Sequence, residues 1–174
     1  MRLDEGLDTG DILLQREMQI LPQDTAITLA PRLAATGADL LLETLRGLEQ
    51  GSVARIPQDQ SQATLAPILK KEDGLIDFDL TAIEIHNRLR GFQPWPGAYT
   101  LFRSKNLKII EARPSPEMLS VPKGELHIQN EKLFVGCGKG TALELVQIQP
   151  EGKRAITARE FMSGYRPGQG ERLG

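Results

Sequence analysis

Two prolines bracket the only tryptophan in Arg90-Gly-Phe-Gln-Pro-Trp-Pro-Gly-Ala-Tyr99, and the hydrophobic period changes there. Upstream, Ala82, Ile85 and Leu89 recur at helical spacing, and Thr81-Ala-Ile-Glu84 has the pattern of a capping box. Downstream, apolar residues fall into short segments divided by turn residues: 98–102, 107–112, 125–128, 132–135 and 143–149. Five such segments at that spacing predict a small barrel or sandwich. The prolines stiffen the corner, since each fixes its own φ. Trp95 can plug the end of a barrel, a structural reading that leads over a binding one. A second capping box, Thr157-Ala-Arg-Glu160, opens a short helix that Gly164 is expected to stop, and the remaining tail reads as a loop.

The first part of the chain has a different texture. Residues 7–11 combine Gly and Asp as a tight turn does, and 12–20 alternates loosely as a strand before Pro22. Asp24 and Thr25 can cap a helical pattern over 27–48. Gly37 divides that pattern, so two helices are expected, one to about residue 35 and one over 38–48; Gly51 ends the second. Residues 52–70 carry three glutamines, two prolines and two serines among few apolar residues, the composition of a linker. A domain boundary is placed there.

With 40% hydrophobic and 25% charged residues over 174 positions, the chain has the composition of a soluble globular protein. No apolar stretch approaches the roughly 18–20 residues of a membrane span. The N-terminus carries acid where a secretory leader carries base, so a cytoplasmic location is expected. One cysteine excludes an internal disulfide framework and any multi-cysteine zinc site, and no metal is expected. The net charge of −2 is unevenly spread: residues 1–70 hold 6 Lys and Arg against 10 Asp and Glu, residues 71–174 hold 15 against 13. A surface facing a polyanion therefore belongs to the second half.

Gly136-Cys-Gly-Lys-Gly-Thr141 invites a phosphate-loop reading, but the glycine spacing is wrong and a strand follows where a helix should. A hairpin turn with an exposed Cys137 is the better reading. His86 and His127 fall in a helix and a strand without a spaced partner, and read as satisfied structural histidines. Lys153, Arg154 and Arg159 surround the N-terminus of the last helix, where backbone N–H groups and basic side chains together favour phosphate; a solvated face is the equal alternative. No complete catalytic constellation is visible.

Taken in order, LDEGLDTGDIL, KKEDGLIDF, RGFQPWPGAYT and GKRAITAREFMSGYRPGQGERLG resemble the methionyl-tRNA formyltransferase family over the full length of the chain. The fold that this resemblance implies is mixed α+β. Residues 1–52 would be the C-terminal remnant of a Rossmann-like formyltransferase catalytic domain and 53–70 a linker. Residues 71–174 would be a small OB-like β-barrel that binds tRNA. The activity implied is transfer of a formyl group from 10-formyltetrahydrofolate to the amino group of methionyl initiator tRNA. Asp8 in LDTGD matches the family's catalytic aspartate, which would orient a charged histidine and help move protons. The Asn and His that complete the set have no counterpart here, so a truncated chain, inactive alone and unable to hold folate by itself, is expected. The barrel's basic face implies tRNA contacts at Lys70, Lys71, Arg88, Arg90, Lys153, Arg154 and Arg159. Ile68 stands where many members carry a linker lysine. Apolar faces at residues 12–20 and 38–48 should be exposed, which leaves self-association through them open. Two other readings remain: a stand-alone RNA-binding module, and part of a folate-dependent formyltransferase acting on a small molecule.

Overall fold

The computed structural model describes residues 1–117 and 119–174. They form two compact units, Met1–Ile68 and Leu69–Gly174.

The first unit is organised along one helix, α1 (Ala26–Glu49). Thr25 caps it, accepting from the Thr28 backbone N–H, while the Thr28 hydroxyl accepts from the Thr25 N–H. Asp24 accepts from the Leu21 N–H and pairs with Arg32, and the Leu21 bond is the first cause holding its carboxyl below the usual carboxylate range. The helix runs unbroken through Pro31 and Gly37, against the two helices expected. A glycine in a helix costs about 1 kcal/mol, too little to end one of this length, and no atom crowds Gly37. No residue of α1 is buried, and Leu33, Leu41, Leu42, Leu45 and Leu48 all lie exposed. The strand expected over 12–20 does not form. Only Ile12 finds a β partner, exchanging two backbone hydrogen bonds with Ile56.

The second unit is built on an antiparallel sheet. Its strands are β1 (Ala98–Phe102), β2 (Lys105–Pro114), β3 (Leu126–Gln129), β4 (Lys132–Gly136), β5 (Ala142–Pro150) and β6 (Ile156–Thr157). Their order is β1-β2-β5-β4-β3, with β6 paired to β5. The five expected strands are all present. Arg103 and Ser104, both at positive φ, turn β1 into β2, and Asn130 and Glu131 do the same between β3 and β4. These are two-residue hairpin loops whose twist matches that of the strands. Helix α2 (Ala82–Gly91) buries Ala82, Ile85 and Leu89, the face that its spacing predicts. Helix α3 (Ala158–Tyr165) adds Phe161, fully buried, with Phe102 edge-on at 5.0 Å and Tyr165 stacked at 4.8 Å. Both capping boxes form. Gly164 does not stop α3; Arg166, in the left-handed region, does.

The strands alone do not close into the expected barrel, because β1 and β3 are the outer strands of the order and do not pair. The C-terminal segment, expected to be a loop, is bound to both of them. The Leu126 N–H donates to Glu171 O, Gly170 N–H to Leu126 O, and Leu173 N–H to Gly124 O, while Gly174 N–H donates to Leu101 O. Gly124 stands at φ 72°, a region L side chains rarely adopt, and a side chain there would also press on the Leu173 carbonyl. Arg103 grips the segment through two bonds to the Glu171 carboxylate, at 2.7 and 3.0 Å. That pairing is the first cause lowering the Glu171 pKa. Unpaired backbone groups on sheet edges invite aggregation, and this tail pairs with Leu126 on β3 and with the Leu101 carbonyl on β1.

Candidate functional site

The sequence pointed to one carboxylate and seven basic side chains, and these lie in three places. Asp8 is exposed in the first unit, at φ 55°. That left-handed region is one that Asp tolerates better than most residues. Gln58 braces the turn from outside, donating to the Asp8 carbonyl at 2.9 Å and the Gly10 carbonyl at 2.7 Å. Gly10 and Asp24 are the buried residues of this unit among those described.

The second place is the last turn of α2 and what adjoins it. Arg88 and Arg90 occupy that turn, where cations complement the helix dipole. Arg88 is exposed; Arg90 is half-buried and donates to Asn87 at 2.8 Å. Lys70 and Lys71 lie exposed at a short 3₁₀ turn, Lys71–Gly74, and the N–H of its cap residue Lys70 donates to Asp73. The turn abuts the corner after α2, because a side chain at Gly74 would collide with the Gly97 carbonyl. Asp73, Leu75, Arg88, Phe92 and Ala98 line a shallow hollow between them. Trp95 does not plug the sheet: it is 54% exposed on the corner.

The third place is the β5–β6 connection and the start of α3. Lys153, Arg154 and Arg159 are all exposed. Arg154 approaches Glu160 at 3.6 Å and Arg159 approaches Glu131 at 3.5 Å. Pairs so long and exposed hold little, and leave both guanidinium groups able to turn toward another anion. The helix N-terminus is less open than charge alone suggests, since Thr157 and Glu160 already occupy part of its backbone donors.

The glycine-rich turn is structural. Gly138 N–H donates to Leu80 O, and the Thr141 hydroxyl accepts from Ala82 N–H while donating to Gly138 O, so the turn clamps the start of α2. Cys137 is not exposed but almost fully buried, and burial pushes its thiol up to about 12. Its side chain points back into the core from the end of β4, where hairpin alternation alone cannot tell inside from out. Lys139, set aside with that turn, stands exposed at φ 54° beside Glu84 and adds a cation to this end of α2. The one signal for it was a lysine between two glycines. His86 lies against the Ala112 carbonyl at 3.0 Å, and burial first of all lowers its pKa. His127 is held between Gln129 and Gln169. Among the described residues no three His, Cys, Asp or Glu side chains could share a metal ion, and no helix is long and apolar enough to cross a membrane.

Comparison with known proteins adds to this geometry. A family model described as formyl transferase, C-terminal domain, matches residues 68–166, and one described as formyl transferase matches residues 1–45. Methionyl-tRNA formyltransferase of Koribacter versatilis is 58% identical over all 174 residues, and that of Solibacter usitatus 50%. The chain spans about half the length of these relatives, 55% of each. Among solved structures, an N-formyltransferase from Helicobacter canadensis in complex with folinic acid and dTDP-3-aminofucose aligns with a TM-score of 0.64 at 20% identity, over 85% of this chain and 53% of that one. HypX from Aquifex aeolicus aligns at 0.59 and 18% identity, over 93% and 30%. These two likenesses bear on the fold.

Proposed function

The chain belongs to the formyl transferase family, and from that premise we propose that it serves formylation of methionyl initiator tRNA, chiefly by holding the tRNA. The observation that carries this is 58% identity to a methionyl-tRNA formyltransferase across the whole chain. In this reading residues 1–52 are the last part of a formyltransferase catalytic domain, 53–70 a linker, and 71–174 a tRNA-binding domain of OB-like design, at work in the cytoplasm. The tail that bonds to both outer strands supports the OB-like assignment, because it ties together the two edges that a barrel would join.

Lys70, Lys71, Arg88 and Arg90 form one phosphate-binding group in this reading, and Lys153, Arg154 and Arg159 another. All of these side chains except the half-buried Arg90 are exposed, and phosphate contacts of this kind supply affinity that falls steeply with salt. Asp8 is the contribution of residues 1–52 to the reaction: a carboxylate that orients an imidazole and favours its charged form. His86 and His127 are engaged elsewhere, so the 174 residues contain no free imidazole for it.

The formyl donor implied by the family is 10-formyltetrahydrofolate. Its ring system needs an enclosed, largely apolar slot, and residues 1–68 bury no apolar side chain among those described. They do not fit the cofactor by themselves, and a polypeptide of these 174 residues is therefore inactive alone.

The test is a pair of assays on that polypeptide. It should bind initiator tRNA with an affinity that falls as salt rises, and the salt slope should flatten when Lys153, Arg154 and Arg159 are replaced together by Gln. Formylation of methionyl-tRNA should be undetectable. Turnover by the chain alone would overturn the inactivity, and failure to bind tRNA at low salt would overturn the tRNA-holding role.

A further inference from the structure

We propose that Trp95 is a stacking platform for an unpaired base of the bound RNA, with Arg88, Arg90, Lys70 and Lys71 on the flanking phosphates. This rests on the RNA-binding reading above and goes beyond it, since neither the charge pattern nor the family comparison assigns a base contact. Among the described residues the other aromatic side chains are buried or half-buried, and Trp95 alone is exposed. Its setting is rigid. Pro94 and Pro96 each fix their own φ on either side of it. The Gly97 N–H donates to the Phe92 carbonyl at 2.9 Å, closing residues 92–97 onto the end of α2. Gln93 ties the loop to β2 through the Ile110 carbonyl at 3.3 Å. A loop backbone braced this way loses little entropy when a ligand covers it.

The surroundings favour a nucleic acid over an apolar protein patch. The loop closes on the turn that carries Arg88 and Arg90, and Gly74 sets the Lys70–Lys71 turn against its base. Glu72, Asp73 and Asp77 are also nearby in the chain, but the Asp73 carboxylate is taken up by the Lys70 N–H. An exposed π-face on a loop that adjoins basic segments suits a base and its phosphates, and every base has a face to stack, so a strict sequence requirement is not expected.

The single tryptophan makes the test site-specific. The full chain is titrated with initiator tRNA and with a blunt RNA duplex of similar charge, following Trp95 emission alongside the anisotropy of labelled RNA. Stacking predicts that tRNA quenches the emission in step with anisotropy, and that the duplex leaves it nearly unchanged. Trp95→Leu should weaken tRNA binding roughly 5- to 100-fold, Trp95→Phe less, with the salt slope unchanged in both. Because the side chain is exposed, both variants should keep the parent circular dichroism. Binding with unchanged emission and a Trp95→Leu affinity equal to the parent would overturn the platform and leave the RNA-binding reading standing. Equal quenching by the duplex would also overturn it. No binding of either RNA at low salt would overturn both.

Discussion

Leu173 is the second-last residue, yet its side chain is only 5% exposed and belongs to the core of the second unit. Replacing it by alanine tests whether the tail is a structural element or a loose end. Leu→Ala at a buried site costs about 2–5 kcal/mol, less where the surroundings can collapse. Leu173 lies in an irregular segment whose surroundings can collapse, so the lower part of that range applies, about 2–3 kcal/mol. The backbone bonds from Leu173 to Gly124 and from Gly174 to Leu101 depend on the same anchor. For a domain of about 100 residues, 1 kcal/mol corresponds to roughly 4–8 °C, so the transition of residues 69–174 should fall by about 10–20 °C. Leu101→Ala provides the control, since that side chain sits on the neighbouring strand at 38% exposure and should cost well under half as much. Scanning calorimetry gives the shift, and hydrogen exchange at Leu126 and Gly174 shows where it arises. A Leu173→Ala protein melting within about 4 °C of the parent, with both amides still protected, would refute the idea that the tail holds the two outer strands.

Three further outcomes follow from single groups. Burial favours the neutral form of His86 in the folded state, while the unfolded chain takes up its proton near the ordinary value of 6.5. Its contribution is therefore full above about pH 6.5 and is lost as pH falls toward the lowered folded value; melts between about pH 7.5 and 5.5 should show this slope, and His86→Gln should flatten it. Cys137, with its thiol near 12, should resist iodoacetamide in the folded protein and react only on unfolding; labelling at the rate of a free thiol in native buffer would contradict its burial. Thr157→Ala removes the cap of α3 and should cost about 1 kcal/mol, or a few degrees in the melt, whereas Thr157→Ser should restore nearly all of it.

Local chemistry was legible wherever it decided the structure locally. Thr81–Glu84 and Thr157–Glu160 form the capping boxes that their spacing spells, and the strands of the second unit appear where apolar segments alternate with turn residues. Long-range pairing was less so. Residues 12–20 have the alternation of a strand, but alternation supplies a face and not a partner, and only Ile12 meets one. The tail reads as loop because Gly168, Gly170 and Pro167 break any period. Its order comes from Arg103, 68 residues away from Glu171 in sequence, and from the empty edges of two strands. Gly37 misled for a related reason: a break was inferred from one permissive residue, against capping and twenty-odd good helix positions acting together.

The candidate site divides along the same line. Basic residues can be counted from a sequence, and grouping them by segment is sound where one element carries them, as the last turn of α2 carries Arg88 and Arg90. What composition cannot supply is which side chains stay on the surface. Cys137 and Trp95 were both assigned by residue type and turn context, and both came out reversed: the thiol is inside and the indole outside. The thiol is inside because β4 ends buried at Val135 and Gly136, and Cys137, directly after it, is held inward by its N–H bond to the Thr141 carbonyl. The indole is outside because Phe102, Phe161 and Tyr165 already fill the space beside α3, and Ile85 and Leu89 pack the space under α2. A core that is complete without its largest aromatic leaves that residue to the surface. There, on a proline-braced corner, it offers a flat apolar face to a ligand, and that is the physical ground for testing RNA bases at Trp95 before any other partner.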